Sequence, residues 1–199
     1  MDILYICKTL EELYPDAKCS LDYKEDWQLI IAARLSAQCT DERVNKITPA
    51  LFEHYRTLDD FANADIADLE QYIYSCGFYH TKAKDIKALC KCLYDLGYIP
   101  DTIEELIKLP GIGRKTANLI MGDIHHQPSI VTDTHFIRIT NRLGLTNTTI
   151  PAKVESDLRK LIPPELSTDF CHRIVYFGRN ICKAKNPHCP CPFFGICRL

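Results

Sequence analysis

The stretch Leu109-Pro-Gly-Ile-Gly-Arg-Lys-Thr-Ala-Asn118 restricts the fold more than any other part of the chain. Residues 103–108 and 115–121 flank it with apolar side chains at helical spacing, so the local reading is a helix, a tight turn and a second helix. Gly111 and Gly113 can both adopt φ > 0, and neither carries a side chain to block a close neighbour. The N–H groups of such a turn, and of the helix start after it, point outward and suit an anion such as a phosphate. Arg114 and Lys115 add positive charge at the same place. Taken alone, the Gly-x-Gly pattern fits an ordinary helix–helix connection equally well.

The remaining periodicity is helical. Ile3, Ile6, Cys7, Leu10, Leu13 and Tyr14 mark an amphipathic first helix that Pro15 and Asp16 end. Residues 27–37 are apolar almost all round, as in a helix at the centre of a domain. Val44, Ile47, Leu51, Phe52 and Tyr55 carry the next stripe. Asp65 is a good N-cap for a short helix bearing Ile66, Leu69, Tyr72 and Ile73, with Gly77 as its left-handed cap. Residues 78–82 read as a turn exposing two aromatics, and Ile86, Leu89, Leu93 and Leu96 as a long helix ending at Gly97. Further helices are expected over 134–142, 151–162 and 164–180. Alternating strands joined by hairpin turns do not occur, so the expected fold is all-α.

With 46% hydrophobic and 25% charged residues, 199 residues can bury the core of one or two small domains. No run approaches the roughly 18 apolar residues that a membrane span needs. The N-terminus lacks the pattern of a signal peptide, and the expected location is cytoplasmic. A net charge of −2 does not advertise nucleic-acid binding, although phosphate contact depends on local patches and oriented amides that whole-chain charge does not report. Eleven cysteines, an odd number, argue against a complete disulfide framework. Cys7, Cys19, Cys39, Cys76, Cys90, Cys92 and Cys171 sit mostly at apolar positions and are expected as small buried hydrophobes. Cys182, Cys189, Cys191 and Cys197 are crowded into sixteen residues and read instead as metal ligands.

Several motifs now fall in one order. Leu35-Ser-Ala-Gln-Cys-Thr-Asp41 precedes the glycine hairpin. Ile130-Val-Thr-Asp-Thr-His135, Arg138 and Asn141-Arg-Leu-Gly-Leu145 follow it, and the four late cysteines come last. Together they resemble the helix-hairpin-helix DNA glycosylases over nearly the whole chain, most closely the endonuclease III branch. The resemblance implies a two-domain all-α fold. Residues 22–129 would form a six-helix domain with the hairpin. Residues 1–21 and 130–199 would form a discontinuous helical domain with a metal loop at 182–197.

Lys115 stands at a helix start, where the dipole disfavours positive charge, and partial burial would further favour its neutral amine. A neutral amine can attack the anomeric carbon of a damaged nucleotide, displace the base and leave a Schiff base. The resemblance gives the lysine at this position that role; a phosphate-pairing lysine is the alternative. Asp133 reads as an N-cap and, by resemblance, as the catalytic carboxylate that stabilises the developing sugar cation. Gln38 and Phe78 match the positions that fill the gap left by an extruded nucleotide, although leucine is common where Phe78 stands. Gly111, Gly113, Arg114 and Thr116 of the hairpin, with His135 and Arg138 three residues apart on one helix, are the remaining expected DNA contacts. Relatives usually show a hydrophobic residue in place of Thr132 and Phe-Gly or similar in place of His125-His126.

The family's cysteine pattern, x6, x2 and x5 between ligands, holds a four-iron, four-sulfur cluster. Here the gaps are x6, x1 and x5, the central one a residue short. The expected cofactor is that cluster, with a four-thiolate zinc site as the alternative. The function so implied is base-excision repair by a bifunctional DNA glycosylase and abasic-site lyase acting on oxidised pyrimidines. The partner would be damaged double-stranded DNA, no membrane would be involved, and the enzyme would act as a monomer. A related glycosylase with another target, or a non-catalytic DNA-binding module, is the competing reading.

Overall fold

The computed structural model describes residues 2–185, 187 and 191–198. Among these the chain is helical and contains no strand: α1 (Ile3–Leu13), α2 (Asp26–Leu35), α3 (Asp41–His54), α4 (Leu58–Asn63), α5 (Ile66–Ile73), α6 (Tyr79–Leu96), α7 (Ile103–Leu106), α8 (Arg114–Asp123), α9 (Thr134–Arg142), α10 (Pro151–Leu161) and α11 (Ser167–Asn180). No described helix is long and apolar enough to cross a membrane. Two compact units result, Ser20–Ile120 and residues 1–19 with 121–199.

In the first unit α2 is the central element. Gln28 accepts from the backbone N–H of Lys24 and of Glu25, which satisfies amides at the helix start. Leu29, Ile30, Ile31, Ala32, Ala33 and Leu35 are buried on nearly every side of it. Fully burying a leucine or isoleucine stabilises a fold by about 1.5–3 kcal/mol, so this helix fixes the frame on which its neighbours are placed. Trp27, Phe52 and Phe61 meet edge to face with ring centroids 5.5–6.3 Å apart. α6 packs against α4 and α5 through Ala83, Ile86, Leu89, Cys90 and Leu93. It ends where Gly97, left-handed at φ 73°, donates its N–H to Leu93 O.

In the second unit α11 packs against α9 and α1. Asp2 caps α1 by accepting from Leu4 N, 2.9 Å away, and Ile6, Cys7 and Leu10 enter a core shared with Phe136, Ile139, Phe170, Ile174 and Phe177. Phe193 is buried against Phe177 at 5.3 Å, which docks the terminal loop on α11.

Three local expectations are corrected. Gly77 does not cap α5: a 3-10 turn, Tyr74–Cys76, follows that helix, and Gly77 sits at φ 65°, ψ 153°, a region open essentially to glycine alone. Residues 79–82 are the first turn of α6 rather than a loop, and Lys82 faces inward. Cys7, Cys76, Cys90 and Cys171 are buried as expected, whereas Cys19, Cys39 and Cys92 are only half-buried.

Candidate active site and nucleic-acid interface

The glycine hairpin is held from beneath. Thr102 caps α7, and Leu106, Leu109 and Ile112 are buried. Gly111 takes φ 72°, and a Cβ there would lie 2.6 Å from Arg34 Nε. That arginine is fixed in turn, its Nε and Nη2 donating to Asp85 Oδ2 at 2.9 and 2.5 Å. Gly113 behaves differently from the expectation that both glycines exploit positive φ. Its φ is ordinary, and a Cβ would meet nothing within 4 Å. The space over Gly113 is open, and Arg114 and Lys115 beside it are exposed while Thr116 is half-buried. Lys115 is therefore not partly buried as expected. It stands in solvent on the first turn of α8, because Ala117 and Ile120 take the inward positions of that helix.

Gln38 and Phe78 share an unusual backbone state. With His126 they are the described non-glycine residues at positive φ: 53° for Gln38, 49° for Phe78 and 53° for His126. Such conformations cost on the order of 1–3 kcal/mol each and persist where surrounding contacts impose them. Both side chains are exposed, Phe78 to 67%. Lys82 lies beneath the two turns. It is 1% exposed, and its Nζ donates to Leu35 O at 2.8 Å and to Cys76 O at 2.6 Å. Those carbonyls lie three residues before Gln38 and two before Phe78, so one buried ammonium ties the two turns together. Burial lowers the proton affinity of this amine. Sequence reasoning missed Lys82, yet a signal existed: it occupies the apolar stripe of Ile86, Leu89 and Leu93.

Asp133 caps α9, its Oδ1 accepting from Phe136 N at 2.6 Å. His135 and Arg138 meet on one face of that helix, His135 Nδ1 and Arg138 Nη2 lying 3.2 Å apart. Arg138 is used inward: Nη2 donates to Gly178 O and Cys182 O at 3.1 and 2.9 Å, binding the end of α11. Burial holds His135 below the usual imidazole range despite the opposing charge of Asp133.

Of the four late cysteines, Cys189 lies outside the described residues. Cys182 is buried in the core around α9 and α11, and Cys191 and Cys197 pack against the same core. Arg142, quoted in the sequence motif without a role, proves to organise this loop. Its Nη1 donates to Cys182 Sγ at 3.1 Å and to Lys183 O at 2.8 Å, and its Nη2 to Ala184 O at 3.2 Å. Among the described residues no three histidine, cysteine or acidic side chains converge as a single metal ion requires.

Within the first unit, then, lie the hairpin residues, Gln38 and Phe78. The second unit holds Asp133, His135, Arg138 and the cysteines. Residues 31–164 match the family described as HhH-GPD superfamily base excision DNA repair protein. Endonuclease III of Synechocystis sp. is 46% identical over 193 residues, covering 96% of this chain and 86% of that protein. The structure of a non-covalent endonuclease III–DNA complex is similar at a TM-score of 0.92 and 43% identity, over 98% of this chain and 94% of that one. That of a trapped endonuclease III–DNA covalent intermediate, an estranged-adenine complex, gives 0.91 and 43% over the same shares. On the family match and on identity sustained across almost the whole chain, this protein belongs to the HhH-GPD superfamily of base excision DNA repair proteins, within its endonuclease III family.

Proposed function

We propose that this chain is a DNA glycosylase with abasic-site lyase activity that removes oxidised pyrimidines from duplex DNA, with Lys115 as nucleophile. The observation that carries the assignment is the hairpin itself. Its apolar side is anchored, its outer side over Gly113 is open, and a lysine stands exposed on the first helical turn. Backbone amides of the turn would hold a phosphate without reading sequence. The neutral Lys115 amine attacks C1′ of the flipped nucleotide and the base leaves with the glycosidic electron pair. Opening of the sugar ring yields a Schiff base, loss of a C2′ proton follows, and the 3′ phosphate is expelled by β-elimination. Asp133 supports the first step as the carboxylate whose negative charge stabilises the developing sugar cation. Gln38 and Phe78 fill the space that the extruded nucleotide vacates.

Cys182, Cys189, Cys191 and Cys197 would hold a four-iron, four-sulfur cluster. The donor set fits: three described thiols border one apolar core, and a guanidinium N–H already points at the Cys182 sulfur. Such a cluster supplies structural cross-linking of the terminal loop. Arg142 orients the Cys182 end of that loop, and Phe193 anchors its centre.

Borohydride trapping on a duplex with one abasic site tests the assignment. Wild type should yield a covalent protein–DNA adduct and Lys115→Ala none. An intact DNA complex with no wild-type adduct would reject the lyase mechanism; an adduct that survives in Lys115→Ala would reject the nucleophile.

A further inference from the structure

The two turns that carry Gln38 and Phe78 also carry a pair of cysteines. Cys39 follows Gln38 directly, and Cys76 stands two residues before Phe78. Their side chains are close enough for each thiol to act on the other. Lys82, which ties the two turns through Leu35 O and Cys76 O, interacts electrostatically with both sulfurs, and Arg43 also acts on Cys76. Cys76 is 1% exposed, whereas Cys39 is half-buried and reachable from solvent. A buried thiol next to a more accessible one, beside an ammonium, can serve as a resolving and an attacking cysteine.

We propose that Cys39 and Cys76 form a thiol-oxidation site, and that closing their disulfide by exchange with a low-molecular-mass disulfide cross-links the two turns and turns down lesion extrusion. The idea rests on the proposed gap-filling roles of Gln38 and Phe78. The Cys39 thiolate attacks one sulfur of the small disulfide; that S–S bond breaks, and the first small thiol departs with the proton Cys39 gave up. The Cys76 sulfur then attacks the Cys39 sulfur and displaces the second small thiol, which takes the Cys76 proton. The protein loses two electrons and two protons, and the small disulfide gains both. Burial pushes the Cys76 thiol up to about 12, which makes it a poor nucleophile toward outside partners and leaves the first attack to Cys39. In the second step the neighbouring Cys39 sulfur is already in place, and that proximity offsets the small thiolate fraction of Cys76. A cross-link here acts on the two turns already held in left-handed conformations, and it stops their relative movement when a nucleotide has to be displaced.

The test uses the full chain with oxidised glutathione as the probe. After alkylation of remaining thiols and trypsin digestion, residues 35–43 and 57–82 emerge as separate peptides holding Cys39 and Cys76. The expected product is these two peptides joined, absent in Cys39→Ser. Oxidation should slow excision of an oxidised pyrimidine on the order of tenfold, the scale of a small misplacement of positioning groups. Dithiothreitol should restore the rate, and Cys39→Ser should be indifferent to the oxidant. Cys39 found only as a glutathione adduct overturns the proposal. So does an unchanged rate in the cross-linked protein, or an equal loss of rate in Cys39→Ser, which would place the damage at other cysteines. The mass measurement needs no catalysis; a reduced wild type inactive on every lesion would reject the functional assignment and leave the thiol pair standing on its own data.

Discussion

A methyl group added at Gly111 meets Arg34 and a backbone at φ 72°, while one added at Gly113 meets open space. Gly111→Ala should therefore destabilise the protein by about 2 kcal/mol or more, from left-handed strain plus displacement of the Arg34–Asp85 pair, read as a fall in the urea midpoint. Gly113→Ala should leave that midpoint nearly unchanged and weaken duplex binding, since the new carbon occupies the approach of a phosphate to the backbone. His135 gives a pH prediction. Its folded-state proton affinity is depressed by burial, so the unfolded chain binds the proton first as pH falls. Stability should be full above the usual imidazole value of about 6.5 and decline below it. His135→Gln should flatten that decline in urea titrations run on either side of it; an unchanged decline would assign it to other groups. Both glycines and His135 stood out in the sequence, but a linear chain does not say which glycine is crowded, nor which face of α9 is covered.

At the scale of elements, α6 does two jobs. Its apolar stripe fills the core, and its first turn places an ammonium under two loops. Replacing Lys82 with methionine keeps the stem and removes the donors from two buried carbonyls. The expected cost is on the order of 3 kcal/mol, with slower excision of oxidised bases, because Gln38 and Phe78 lose their common tether. A variant as active and stable as wild type would remove Lys82 from this role. Helix identity was legible here because apolar spacing is a local property, whereas the direction of Lys82 depends on α2 arriving from forty-seven residues away. The N-cap role of Asp133 was legible for the same local reason. The inward use of Arg138 was not, since its acceptors, Gly178 in α11 and Cys182 just past it, lie forty and forty-four residues along the chain.

Across the whole molecule, several arginines are committed to the protein's own acceptors. Arg34 holds Asp85, Arg138 and Arg142 hold carbonyls near Cys182, and Arg173 lies 3.2 Å from Glu11. The sequence showed the modest net charge but not how much of the positive charge is turned inward. Beside the exposed Arg114 and Lys115, amides at the open Gly113 would share the phosphate contact, and amides are dipoles rather than ions. Each phosphate neutralised by a cation releases condensed counterions and steepens the dependence of affinity on salt, whereas a dipole releases few. If about three phosphates are neutralised, log affinity should fall against log salt with a slope of about −3, measurable by fluorescence anisotropy on an undamaged duplex. A slope of about −7 or steeper would mean that side-chain charge governs binding after all. With these arginines turned inward, the expected consequence is a search along DNA that is comparatively insensitive to ionic strength.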